Sequence, residues 1–178
     1  MVNDLKYMTK SADSKIVALY ALAALLLAGC AGSRPQKTEP DDKGWVTRDI
    51  FDEPLYAPFR AGLDTMTVDP VFAGMVRDAR DSVDVLIFFG GWCSDSKRQV
   101  PRFLKLADEA GVPAESIRLY ALDRTKKSDD GMTARWGIER IPTIIFLHRG
   151  AEIGRITETP QTTMEGDVLA ILAAARAH

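Results

Sequence analysis

Residues 83–101, VDVLIFFGGWCSDSKRQVP, decide the fold of this chain. Val83–Phe89 is an almost continuous run of β-branched and aromatic residues, which predicts a strand buried on both faces. Gly90-Gly91 ends the run, and from Ser94 onward apolar side chains recur at helical spacing. The stretch therefore predicts a strand, a tight turn and a helix, with Cys93 at the N-terminus of that helix.

The segments on either side alternate between helical and strand patterns. Asp69-Pro70 combines an N-cap residue with a proline at the first helical position, and predicts a helix that ends near Ala79. Residues 116–122 predict a second strand, which the long crossover makes parallel to the first. The remaining predicted elements are a short helix at 129–136, strands at 141–147 and 151–157, and a final helix capped by Thr162 or Thr163.

The residues before the first helix divide into two parts. Residues 44–66 place Leu55, Phe59 and Leu63 four positions apart, which predicts a short helical stripe and an accessory N-terminal segment. Residues 31–43 contain no large apolar side chain and are rich in proline and charge, which is typical of a flexible tether.

The first thirty residues have the pattern of an export signal. Lysines precede an apolar run at 16–29 that is too short to span a membrane. The run ends in Leu-Ala-Gly-Cys at 27–30, which resembles the lipobox of bacterial lipoproteins. The resemblance implies cleavage before Cys30, a lipid on that cysteine, and a lipid-anchored, periplasm-facing location in the bacterial cell envelope. Because Ala31 rather than aspartate follows the cysteine, the resemblance favours the outer membrane over the inner.

Composition excludes several classes of function. Of the 178 residues, 46% are hydrophobic, which is too high for a disordered chain, and a net charge of -2 offers no basic surface for nucleic acid. Two cysteines and two histidines are too few for a disulfide framework or a zinc site. We therefore expect no metal, no cofactor and no nucleic-acid partner.

Several motifs at matching separations resemble the thioredoxin-like family, over about residues 67–175. WCSDS at 92–96 stands where the family has Trp-Cys-x-x-Cys, and Pro101 stands where its active-site helix carries a proline. GIERIPT at 137–143 matches the segment that holds the family's cis-proline. The resemblance implies a nucleophilic Cys93 with Ser96 as a second catalytic residue. It also implies four substrate-binding residues: Trp92, Ile141, Pro142 and Thr143.

The fold expected from this resemblance is a thioredoxin-like α/β fold, with a central mixed sheet of four strands flanked by helices. The predicted organisation is a signal peptide over 1–29, a lipidated cysteine and tether over 30–43, the accessory segment over 44–66 and the thioredoxin-like domain over 67–178.

The predicted site suits the chemistry of a single thiolate. The unpaired N–H groups at a helix N-terminus stabilise the anion of Cys93, and Ser96, one turn further on, is expected to donate a hydrogen bond to its sulfur. Ser96 replaces the family's resolving cysteine, while Ile87 and Leu119 replace its buried acid and lysine. A mixed disulfide on Cys93 would therefore need an external thiol to release it.

Two hypotheses follow. The first is a membrane-anchored protein that uses Cys93 alone for thiol-disulfide exchange or mixed-disulfide formation with envelope proteins or peptides, with an external thiol as reductant. The alternative is a redox-inactive binding or assembly module that kept the fold. An iron–sulfur role like that of monothiol glutaredoxins is disfavoured, because Ser94-Asp95 stands where that family has Gly-Phe.

Overall fold

A computed structural model describes residues 39–79 and 83–176 of the chain. The predicted signal peptide, the lipidation site Cys30 and most of the tether lie outside these residues and stay predictions. Within the described ranges, no helix is both long enough and apolar enough to cross a membrane.

The centre of the fold is a mixed β-sheet. In the described residues it has five strands: β1 (Gly44–Val46), β2 (Val83–Phe89), β3 (Ile117–Ala121), β4 (Thr143–His148) and β5 (Ala151–Thr157). Their spatial order is β1-β3-β2-β4-β5, with β2 and β3 parallel and the other neighbours antiparallel. The predicted mixed sheet is confirmed, but it gains β1 as a fifth strand. Three residues are too short a run to show the alternation that identifies a strand.

The helices lie where the sequence pattern predicts them, but one is shorter than predicted. They are α1 (Ala57–Thr65), α2 (Pro70–Ala79), α3 (Ser94–Glu109), α4 (Met132–Arg135) and α5 (Met164–Arg176), with 3-10 turns at Arg48–Asp52, Pro54–Tyr56 and Ala114–Ser116. The helix predicted at 129–136 is reduced to the single turn of α4. Thr163 is the residue that caps α5, since its hydroxyl accepts the N–H of Gly166 at 3.0 Å.

Both faces of β2 are buried, as its sequence predicts. Val85, Ile87 and Phe89 belong to the larger core, which includes residues of α1, α2, α3 and α5. Leu86 and Phe88 belong to a smaller core on the opposite face. The half-buried residues packed against this smaller core are Trp92, Cys93, Met132, Trp136 and Leu147. The predicted nucleophile therefore lies at the edge of an apolar cluster.

The segment 44–66 is built into the larger core. Phe51, Tyr56 and Phe59 are buried, and the rings of Phe51 and Phe59 stack with centroids 5.1 Å apart. The ring centroid of Phe59 lies 5.8 Å from that of Phe89, the last residue of β2. These aromatic side chains support the end of the strand that leads into the turn at Cys93.

Candidate active site

The turn between β2 and α3 presents Cys93 at a helix N-terminus. The N–H of Cys93 donates to the carbonyl of Gly90 at 3.0 Å and closes the turn. The carbonyl of Cys93 accepts the N–H of Lys97, also at 3.0 Å, which is the first hydrogen bond of α3. Since the first N–H groups of a helix have no partner within it, Cys93 lies at the positive end of the dipole of α3. The side chain is half-buried and carries a free thiol.

Gly90 is required by close packing at this turn. A Cβ atom at this position would lie 2.8 Å from Cδ1 of Ile141 and 2.9 Å from the indole ring of Trp92. Real Cβ atoms do not approach neighbours so closely, so a side chain here would displace Trp92, Ile141 or both. The glycine therefore lets two predicted substrate-binding residues lie against the turn.

The loop before β4 reaches the thiol. The Ile141–Pro142 peptide bond is cis, as the resemblance implies. The thiol of Cys93 donates a hydrogen bond to the carbonyl of Ile141, with sulfur and oxygen 3.5 Å apart. Thr143 is buried, and its hydroxyl donates to the carbonyl of Arg140 at 2.7 Å. The structure thus brings Ile141 to Cys93, while the polar group of Thr143 is used within the loop.

Ser96 has a different partner from the one its spacing suggests. It is fully buried, and its hydroxyl accepts the N–H of Gly90 at 3.2 Å. The expected hydrogen bond from Ser96 to the sulfur is not the one found, because the thiol pairs with the carbonyl of Ile141. The hydroxyl instead satisfies a backbone N–H at the end of β2 that would otherwise be buried without a partner. The catalytic role of Ser96 stays a prediction.

Trp92 connects the turn to the end of β3. Its side chain is half-buried, and its Nε1–H donates to the carbonyl of Leu122 at 3.0 Å. The guanidinium of Arg124 lies over the indole, 5.0 Å from the ring centroid. The sequence does not predict this contact, because Arg124 stands in a charged loop where an arginine is normally solvated.

Charged side chains close to Cys93 are paired with one another. Asp95, in the first turn of α3, forms an ion pair with Arg98 at 2.6 Å. Lys97 lies 4.0 Å from the carboxylate of Glu39, which also pairs with Arg124. Exposed pairs of this kind contribute about 0–1 kcal/mol each.

Residues 39–43, which we call the strap, pass beside the turn, where Pro40 contacts it. Pro40 is buried beside Gly91, where a Cβ atom would lie 2.8 Å from Cγ of Pro40 and closer still to its Cβ. The hydroxyl of Tyr56 donates to Asp42 at 2.9 Å. Burial, helped by Asp42, raises the pKa of Tyr56 well above its usual range, so the hydroxyl stays protonated and remains a donor.

The end of the strap is held by a group of carboxylates. Nζ of Lys43 lies 2.6 Å from Asp129 and 3.7 Å from Asp123. The hydrogen bond to Asp129 is the main cause that raises the pKa of Lys43. The pKa of Asp123 is lowered, chiefly by the hydroxyl of Thr125 and to a smaller extent by Lys43. These contacts involve residues that composition alone predicts to be a flexible tether.

Ile87 and Leu119 stand opposite each other where β2 and β3 pair, and both are buried in the larger core. They occupy the positions that the resemblance gives to a buried acid and a lysine. Two apolar side chains cannot transfer protons to a group near the turn. Among the described residues, no three His, Cys, Asp or Glu side chains are grouped to hold a metal ion.

Comparisons with known proteins agree with this geometry. The sequence profile of the thioredoxin family, described as "Thioredoxin", matches residues 65–169. Protein disulfide-isomerase of Oryctolagus cuniculus is 32% identical over 63 residues, which is 35% of this chain and 12% of that protein.

One solved structure shows the same fold. A protein of unknown function from Pseudomonas aeruginosa has a TM-score of 0.50 and 20% identity, over 67% of this chain and 82% of that one. Thioredoxin f from spinach chloroplast has a TM-score of 0.39 and 27% identity, over 57% of this chain and 83% of that one.

Proposed function

The chain belongs to the thioredoxin family, and from this premise we propose that it uses Cys93 as a single nucleophile in thiol-disulfide exchange. The observation that carries the proposal is the position of Cys93. It is a half-buried thiol at the N-terminus of the 16-residue helix α3, beside the carbonyl of Ile141. The unpaired N–H groups at the N-terminus of a helix stabilise a thiolate, which is the attacking species.

The first step is attack of the Cys93 thiolate on one sulfur of a partner disulfide. A bond forms between Sγ and that sulfur, the partner's S–S bond breaks, and the departing thiolate takes up a proton. The hydrogen bond to Ile141 exists only while Cys93 is protonated, since a thiolate has no proton to donate. Deprotonation therefore frees the carbonyl of Ile141 to accept an N–H from an extended partner segment.

The second step needs a thiol from outside the domain. Ser96 has no sulfur, and the other cysteine of the sequence, Cys30, is the predicted lipidation site. An external thiol attacks Sγ of Cys93 in the mixed disulfide, so a new S–S bond joins it to Cys93 while the bond to the partner breaks and the partner leaves as a thiol. A second equivalent attacks this new disulfide, and the two external thiols leave joined as a disulfide. The electrons come from that external reductant, and Cys93 returns to the thiol.

We place this activity in the bacterial cell envelope. The support is the signal-like sequence before Cys30 and its similarity to a lipobox. In this proposal the lipid holds the protein to a membrane, with the outer membrane favoured, and the domain faces the periplasm. Its partners are envelope proteins or peptides with thiols or disulfides.

A redox-inactive binding module is the second candidate, and two observations favour it. The hydroxyl of Ser96 is used to hold the turn, and Ile87 and Leu119 form an apolar pair. These features keep the shape of the site without the groups that assist a dithiol reaction. In this case the surface around Cys93 and Ile141 would bind a partner without covalent chemistry.

The test is to trap the mixed disulfide in cells. Growing cells are quenched with acid, free thiols are alkylated, and the protein is probed on non-reducing gels for parent, Cys93→Ala and the exposed-neighbour control Ser94→Ala. Bands of higher mass that collapse with reductant should appear in the parent and in Ser94→Ala, and should be absent in Cys93→Ala. A band at twice the protein's own mass is scored separately as self-oxidation.

A second pattern of results would decide against exchange chemistry. If only monomer is found and Cys93→Ser keeps the cellular phenotype, the exchange chemistry is refuted and the binding module is the remaining candidate.

A further inference from the structure

We propose that the strap holds the reactive end of the domain close to the membrane, so that Cys93 acts on disulfides at the bilayer surface. The inference rests on the proposed function, because it takes Cys30 as the anchor and Cys93 as the nucleophile. It adds the class of partner, namely membrane-embedded or membrane-attached proteins whose disulfide lies near the lipid headgroups.

The strap is attached to the site side of the domain at several points. Pro40 is buried against Gly91, two residues before Cys93. Asp42 accepts the hydroxyl of the buried Tyr56 at 2.9 Å, and Lys43 lies 2.6 Å from Asp129.

The first residue of the strap also contacts the surroundings of the nucleophile. Glu39 forms an ion pair with Arg124, and Arg124 lies over the ring of Trp92. Glu39 also lies 4.0 Å from Lys97 in the first turns of α3. The chain therefore enters the described fold directly beside the turn that carries Cys93.

This entry point limits the length of chain between the predicted anchor and the strap. Nine residues of chain lead from Cys30 to Glu39, and they span at most about 32 Å in any conformation. A flexible coil of this length has a root-mean-square end-to-end distance of about 17 Å. If the strap were released, the free chain would extend to Gly44 in the edge strand β1, and the domain would be able to turn its reactive end away.

A short attachment beside the site has a kinetic consequence. It raises the effective concentration of Cys93 toward disulfides at the bilayer surface. The rate at which Cys93 reacts with dissolved disulfides stays unchanged. The effective concentration falls roughly as the −3/2 power of tether length. The structure therefore favours surface-bound partners by geometry, without any added contact to them.

The experiment uses two disulfide probes of the same chemistry. The lipidated full chain is anchored in phosphatidylethanolamine and phosphatidylglycerol vesicles that contain a lipid with a headgroup-linked 2-pyridyl disulfide. Attack by Cys93 forms the Cys93–lipid disulfide and releases pyridine-2-thione, which is followed by absorbance. A water-soluble 2-pyridyl disulfide on vesicles without the probe lipid gives the reference rate.

Two variants lengthen the free chain between Cys30 and the domain, and a third serves as a control. A 15-residue Gly/Ser spacer between Ser33 and Arg34 should lower the rate on the lipid probe about fourfold, as the tether grows from nine to 24 residues. The double variant Pro40→Gly, Lys43→Gln releases the strap without added residues, and should lower that rate about twofold. The same spacer placed after His178 is the matched control and should leave it unchanged. The soluble probe should react at one rate in all four proteins.

The outcomes separate the inference from the proposed function. Equal rates on the lipid probe with and without the spacer at Ser33 would overturn the inference while leaving the exchange chemistry intact. A protein that does not float with vesicles would refute the anchor at Cys30, and one that reacts with neither probe would refute the nucleophile. Both of these results would remove the inference as well.

Discussion

Gly91→Ala is the substitution that tests the strap most directly. A Cβ atom at Gly91 would lie 2.8 Å from Cγ of Pro40, closer still to Cβ of Pro40, and 3.0 Å from Cε1 of Tyr56. Neither neighbour is the free end of a flexible side chain. The protein must therefore either shift the packed rings or release the strap from the turn.

Release of the strap sets the upper limit on how much stability Gly91→Ala can lose. Releasing the strap exposes Pro40, whose burial contributes about 2 kcal/mol, and gives up the hydrogen bond from Tyr56 to Asp42, which contributes about 1 kcal/mol. Overpacking at a site that does not yield costs about 1–3 kcal/mol. Because the protein adopts the response that costs less, we expect the free energy of unfolding to fall by about 1–3 kcal/mol.

Urea unfolding of the purified chain measures this change, with Gly74→Ala as the matched control. A Cβ atom at Gly74, inside α2, would have no neighbour within 4 Å. The same substitution there should therefore stabilise the protein by about 0.5–1 kcal/mol, which is the opposite sign. The variant is then repeated in a Pro40→Gly background, where the cost of Gly91→Ala should shrink because its main clash is gone. An unchanged free energy of unfolding in Gly91→Ala, or an equal loss in both backgrounds, would refute the contact between strap and turn.

Three further predictions follow from the described residues. Phe59→Ala should lower the free energy of unfolding by about 3–5 kcal/mol in the same urea assay, because Phe59 is fully buried in the larger core; a loss below about 1 kcal/mol would contradict the integration of the segment 44–66. Asp123 has a lowered pKa when folded, so it stabilises the protein above its unfolded pKa of about 4, and this contribution is lost as pH falls through the folded value. Asp123→Asn should therefore flatten the decline in stability below about pH 4, and a decline as steep as the parent's would argue against it. Ser96→Cys places a second thiol one helical turn from Cys93, and should shorten the lifetime of mixed disulfides on non-reducing gels. Adducts as long-lived as those of the parent would show that position 96 cannot reach the sulfur.

Much of the domain could be predicted because its signals are local. The run Val83–Phe89, the two glycines after it and the helical spacing after Ser94 are consecutive residues, and their order alone predicts strand, turn and helix. The family resemblance added the cis peptide bond before Pro142, which no local pattern distinguishes from a trans one.

The candidate site was only partly predictable. Trp92 and Ile141 both lie against Gly90 at the turn, and both stand in motifs that the sequence shows, while their role in substrate binding stays a prediction. The partner of Ser96 was not predictable, because helical spacing places its side chain near both the sulfur and the end of β2. The Ser96 hydroxyl pairs with Gly90 because the sheet leaves the backbone N–H of that residue without another partner.

The sequence by itself determined the order and type of the main elements, the location of Cys93 at a helix N-terminus and the absence of a second thiol at position 96. These properties depend on neighbouring residues and on residue identity. Only the tertiary structure decided that β1 extends the sheet, that Arg124 lies over Trp92 and that the strap is held beside the turn. Each of these joins residues far apart in the chain, and such contacts are set by the packing of whole elements, which no local pattern of residues encodes.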